Sequence, residues 1–207
     1  MIPISPLTWR ITWLVFSLVL MGGGCSPLPS RPQEKILLTL EAPKPQPLNQ
    51  PRKKQVLLLE HVNAVASLRQ TNILYRSDGP SVSYFANHRW LAMPADLIDQ
   101  ALMESLAPRL PYASVVRPEQ GLAANRALSL VLLHLEQAFT ANGQSHERLE
   151  MLAQLLDLNH GRVIGSRIFR YLEPAPTATA EGGALAAGTA LSRLFDDLRA
   201  WLGEVDP

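Results

Sequence analysis

Cysteine is almost missing from this chain: 207 residues hold one, Cys25. A single thiol closes no intramolecular disulfide and assembles no thiolate metal site. Charge is sparse as well, at 18% Asp, Glu, Lys and Arg, and it is balanced, with 19 cations against 18 anions. No global field therefore draws the chain onto nucleic acid or an anionic bilayer. The one dense basic run, Arg52-Lys53-Lys54, stands in a Pro-rich stretch without interleaved rings. Nucleic-acid platforms pair positive charge with stacking aromatics, so this run reads as a solvated linker and no nucleic-acid partner is expected. Signatures of chemistry are missing too. There is no Gly-x-Ser-x-Gly elbow, and His61, His88, His134, His146 and His160 offer no pair at metal-ligand spacing on a predicted helix. Gly182-Gly183 with Gly188 follows a loop instead of a strand and lacks the Lys-Ser/Thr of a nucleotide loop, so it reads as a frayed helix start. His146-Glu147 and Asp196-Asp197 are adjacent pairs whose side chains diverge. The expectation is a protein that is not an enzyme, with no catalytic residue, no metal and no cofactor.

What the chain does have begins at its N-terminus. Arg10 precedes an apolar run from Ile11 to Met21, followed by Gly22-Gly23-Gly24-Cys25. Cation, apolar stretch and small-residue cleavage site stand in the order of a secretory signal over residues 1–24. As a helix that run is about 16 Å long, against roughly 30 Å of hydrocarbon, so it is too short to be retained as a span. Gly24 suits a lipoprotein box, although Gly22 stands where Leu is usual; Gly22-x-Gly24 also fits ordinary signal cleavage at the same bond. Lipidation at Cys25, with acyl chains such as palmitate, is the expectation because the chain's only Cys falls on that bond. Each buried methylene adds about 0.8 kcal/mol, so more than one chain makes anchoring effectively permanent. Ser26 follows where the inner-membrane retention signal is Asp, which points to the periplasmic face of the outer membrane. Residues 25–34 form a short Pro-biased tether, and residues 35–207 one domain, for which a 47% apolar content suffices.

Within that domain the periodicities alternate between strand and helix. Lys35 to Leu40 and Val56-Leu57-Leu58-Leu59 read as strands separated by the Pro43 to Pro51 break. Ile73-Leu74-Tyr75 and Val82 to Phe85 flank Asp78-Gly79-Pro80, a turn, and predict a hairpin. Pro94 opens an amphipathic helix with Leu97, Ile98, Ala101, Leu102 and Leu106 on one side; Pro108 and Pro111 end it, and Tyr112 to Val116 returns to the sheet. Three stretches between Ala127 and Leu172, joined by Asn142-Gly143 and Asn159-His160-Gly161, predict an antiparallel meander. In the first, Val131, Leu133, Leu135 and Phe139 are expected on one face and His134 and Glu136 on the other. In the third, Val163, Gly165, Arg167 and Phe169 alternate against Ile164, Ser166, Ile168 and Arg170. Pro174 to Gly183 reads as a flexible stretch before a second amphipathic helix carrying Leu191, Leu194, Phe195, Leu198, Trp201 and Leu202. The expected fold is α+β: a small, mostly antiparallel or mixed sheet with two amphipathic helices packed on one face.

Leu57-Leu58-Leu59-Glu60, Ile73-Leu74-Tyr75-Arg76, His88-Arg89-Trp90 ahead of the helix, and Asn159 to Phe169 together resemble the ABC-type transport auxiliary lipoprotein family. That family is typified by the outer-membrane lipoprotein of paraquat-inducible systems, which work with MCE-domain proteins in lipid trafficking. The resemblance implies a non-catalytic scaffold that docks a periplasmic MCE assembly or an ABC transporter permease at the outer membrane, with a homo-oligomer as one arrangement. Arg89 and Trp90 carry two readings. One makes Trp90 a core anchor at the helix start and Arg89 the partner of a carboxylate; the other makes both part of a partner-docking surface, where Trp and Arg are enriched. An outer-membrane lipoprotein that activates a cell-wall synthase is the alternative function, and a lipid carrier with an enclosed apolar cavity is a third.

Overall fold

The longest elements explain the rest. Strands β7 (Arg126–Phe139), β8 (Ser145–Asp157) and β9 (Arg162–Pro174) run antiparallel in sequence. Helix α2 (Ala180–Val205) packs on them. Thirteen strand residues extend about 44 Å and 26 helical residues about 39 Å, so one helix lines the full length of the meander. Along β8 every second residue, from Ser145 to Asp157, is buried. Leu149, Met151, Ala153 and Leu155 meet Leu191, Leu194, Phe195, Leu198 and Leu202 of α2 in one core.

The computed structural model describes residues 34–41, 52–77 and 79–207. The expected signal segment, Cys25, most of the tether, the Pro43 to Pro51 break and Asp78 lie outside the described residues. The shorter strands are β1 (Ile36–Leu38), β2 (Val56–Leu59), β3 (Asn63–Ala64), β4 (Asn72–Arg76), β5 (Val82–Trp90) and β6 (Ser114–Val116). β4 and β5 form the expected hairpin, and β5 runs on through Trp90. β2, β3 and β4 pair in turn, parallel, along one side of β7, while β8 takes its other side. β1 pairs β5 and β6 pairs β2, both parallel. The fold is α+β, a mixed nine-stranded sheet with both helices on one face.

Helix α1 (Pro94–Ala101) starts with Pro at its first turn, where a missing N–H costs nothing, and buries Leu97, Ile98 and Ala101. It continues as a wider π turn over Leu102–Leu106 before Pro108. Pro108 has no N–H to offer the carbonyl of Glu104, and the chain leaves the α path there. It returns as β6 on the far side of the sheet.

Two expectations about faces change. β7 and β8 slip register between Leu132 and His134, so Leu133 is an inserted bulge residue. Ahead of it Leu128, Leu130 and Leu132 face the helices; beyond it Leu135 and Gln137 do. Val131 and Leu133 therefore do not share the core face with Leu135, whereas His134 and Glu136 stay opposite. A second slip beside Ile164 puts Val163 on the outer face and Gly165 on the inner one. Gly165 packs closely there: a Cβ would lie 3.0 Å from the Trp201 ring. The stretch expected to be flexible up to Gly183 is also shorter. β9 extends to Pro174 and α2 begins at Ala180, capped by the Thr179 hydroxyl, which accepts the Gly182 N–H at 3.2 Å. Such a cap contributes about 1 kcal/mol. Gly182 and Gly183 are buried in that first turn instead of fraying.

Candidate interaction surfaces

The sheet residues that face away from the helices form a polar and apolar mosaic. The bulge at Leu133 turns Glu136 outward, and it is buried between two guanidiniums, Arg76 at 3.2 Å and Arg148 at 3.3 Å. Arg148 reaches on to Glu150 at 2.8 Å, and Arg170 stands 3.6 Å from the same carboxylate. The neighbouring carboxylates raise the Arg148 pKa further, Glu150 first by hydrogen bonding. Beside this ladder Leu68, Leu74, Leu133, Arg76, Tyr84 and Glu136 line a groove of about 230 Å³. Along β9 the outward side chains Val163, Ile168 and Leu172 are exposed. This outer face is an apolar strip flanked by an ordered charge ladder, a composition suited to contact with another surface.

The inner face treats charge differently. Glu147 is buried under the first turn of α2, beside Gln137 on the adjacent strand, and no cation among the described residues pairs with it. Burial, then the charge of Glu136, push its pKa well above the ordinary carboxylate value. Gln137 donates to the Ser145 hydroxyl at 2.8 Å, while its Oε1 has no partner among the described residues. The helix approaches this cluster closely: a Cβ on Gly183 would lie 2.5 Å from Gln137 Oε1.

Two further polar junctions tie loops to the frame. Asp99 of α1 accepts the Val62 N–H at 3.1 Å, pairs with Arg117, and lies 3.2 Å from His61 Nδ1; Glu119 holds His61 Nε2. Hydrogen bonds to Glu119 and then Asp99 raise the His61 pKa. At the other end of the sheet Asp206 accepts Arg126 Nε at 2.9 Å and the Tyr112 hydroxyl at 3.1 Å, pinning the end of α2 to β7 and to the start of β6. Among the described residues no group of three or more His, Cys, Asp and Glu is arranged to hold a metal ion. A groove of about 480 Å³ is lined by Ser145 and His146 at the start of β8, Pro174 at the end of β9, and Thr177 in the loop that follows. The Leu-rich strands, by contrast, fill the core with each other and with α2.

The two residues singled out before the helix separate. Trp90, 3% exposed, is a core residue whose strand position pairs with Leu38. Arg89 pairs with no carboxylate among the described residues; its Nη1 donates to the carbonyls of Phe85 and His88, both at 2.7 Å. The apolar surface at this point comes from their neighbours: Leu91 and Met93 after the strand, Ile36 and Leu37 on β1. Cys25 lies outside the described residues. The bulge at Leu133 was not foreseeable, because no Gly or Pro marks it.

A model of the ABC-type transport auxiliary lipoprotein component family matches residues 38–198. The chain belongs to that family. Protein XCC0632 from Xanthomonas campestris has the same fold, with a TM-score of 0.70 at 19% identity, over 82% of this chain and 94% of that one. A second solved structure, described only as an uncharacterized protein, gives 0.57 at 15% identity, over 78% and 99%. No curated protein matches the chain. The family is one of transport auxiliaries and lipoproteins, and the match covers nearly all of the described domain. No helix among the described residues is long and apolar enough to cross a membrane.

Proposed function

We propose that this auxiliary lipoprotein is a non-enzymatic component of an ABC/MCE-type envelope transport system, anchored through Cys25 in the outer membrane, where it docks the periplasmic part of a lipid-trafficking assembly. The observation that carries the reading is the family match across residues 38–198. The signal-like segment ending at Cys25 supplies the anchor, and Ser26 in place of Asp supports outer-membrane sorting. An MCE-domain protein or an ABC permease is the partner, and the outer face of β8 and β9 is the surface that meets it. Arg89, whose guanidinium donates to two backbone carbonyls, and Trp90, buried in the core, are left out of that partner surface.

Affinity purification of the tagged full-length chain from mild-detergent extracts of its native cells, with Cys25→Ser as control, tests this. An MCE-domain protein or ABC permease is expected with the parent chain and is depleted with Cys25→Ser. Recovery of a cell-wall synthase with neither of these would overturn the proposal in favour of an activator.

A further inference from the structure

Among the described residues, two of the sheet's edge strands are opposite in character. β9 pairs only with β8, and its 13 residues carry Arg162, Arg167 and Arg170, charges of the kind that keep edges from sticking to other strands. β1 pairs only with β5, and its sequence is Ile-Leu-Leu. Ile36 and Leu37 are 49% and 57% exposed. Register places Leu37 beside Arg89, and the Leu91 N–H donates to the Leu38 carbonyl at 2.7 Å, so the β5–α1 turn prolongs the same edge. That turn exposes Leu91 and Met93 by 60% and 42%. Four large exposed apolar side chains thus lie along one edge.

We propose that this edge lies on the phospholipid surface, with Ile36, Leu37, Leu91 and Met93 in contact with lipid. What selects lipid as the occupant is the length of chain before β1. Only ten residues lie between Cys25 and Ile36, a reach of at most about 40 Å when fully extended and less with the Pro bias of the tether. A domain of about 170 residues has a radius of gyration of about 15 Å, so that reach is comparable with its own diameter. The chain enters the fold at the apolar edge itself. Two cations flank the patch: Arg89, and Lys35, whose ammonium is bonded to the Ala86 carbonyl. Long basic side chains beside apolar ones suit a headgroup boundary, where the stem is buried and the charge stays wet. The β9 edge and the outer face are left for protein. This inference rests on anchoring at Cys25, as proposed above.

The test uses the full-length lipoprotein reconstituted in vesicles of phosphatidylethanolamine and phosphatidylglycerol, with spin labels at Leu91→Cys and, separately, Leu172→Cys on β9. An acylated Cys25 has no free thiol, so each variant carries one label. The ratio of oxygen to nickel-chelate accessibility is expected to be severalfold higher at position 91 than at 172. Leu37→Glu, at an exposed position, should lower that ratio without lowering thermal stability. Equal, water-like ratios in protein that floats with the vesicles would overturn the inference while leaving the anchor standing. A label at 91 shielded from both reagents would overturn it too, marking a protein interface. Protein that fails to float would remove the anchor and the inference together.

Discussion

Glu136 and Glu147 occupy neighbouring strands, are both buried, and meet opposite fates. Glu136 faces outward and is held between Arg76 and Arg148; Glu147 faces the helix with no cation among the described residues beside it, and burial pushes its pKa well up. The difference separates the two faces of the sheet. Where water is excluded and no cation stands by, as at Glu147, the charged form is penalised and the pKa rises; Glu173 on the same face is buried too, but pairs with Arg193. A face left partly open keeps its charges and pairs them, and a face of that kind is available to a partner.

Substitutions can break this contrast. The largest effect is expected on the inner face: Phe195→Ala, at a position with no exposed surface, should cost about 3–5 kcal/mol by chemical denaturation, because it leaves a cavity under α2. Gly182→Ala should cost about 1–3 kcal/mol despite the better helix propensity of Ala, since a Cβ there would lie 2.1 Å from the Thr177 carbonyl oxygen. Glu147→Gln should have the opposite sign. Its amide can donate to Gln137 Oε1 and carries no ionisable proton, so a gain on the order of 1 kcal/mol is expected at pH 7. The sign with pH follows from the raised pKa. Stability of the parent chain is greatest below the ordinary carboxylate value and falls as pH rises from there toward the folded value, so the advantage of Gln should vanish near pH 4. Ile168→Ala and Leu172→Ala, on the exposed outer face, should shift stability by less than about 0.5 kcal/mol while weakening partner capture. A large loss of stability from either would mean that the outer face is core.

How far the sequence foretold this depends on the range of the signal. Elements with strong local period are found where expected: the β4–β5 hairpin, the Pro94 helix, the three long strands joined at Gly143 and Gly161, both with positive φ, and the Leu191 to Leu202 helix stripe. What escaped depends on pairing between distant segments. The extra residue at Leu133 is visible only against Met151 and Glu150 across the ladder, and it reverses which side chains of β7 are inside. Gly182-Gly183 resembled a flexible approach because glycine has two uses. Here the use is close packing over Gln137 and Thr177, which a single sequence cannot distinguish from freedom. Trp90 and Arg89 stood out as a pair, but neighbours on a strand point to opposite faces, and only Trp90 enters the core.

The most direct test of a partner surface on the outer face is in-cell photocrosslinking from a photoreactive residue in place of Ile168, read by mass spectrometry. The account predicts an adduct with an MCE-domain protein or an ABC permease, which an equivalent probe at Leu91 does not give. Adducts with those proteins from Leu91 and none from Ile168 would contradict it.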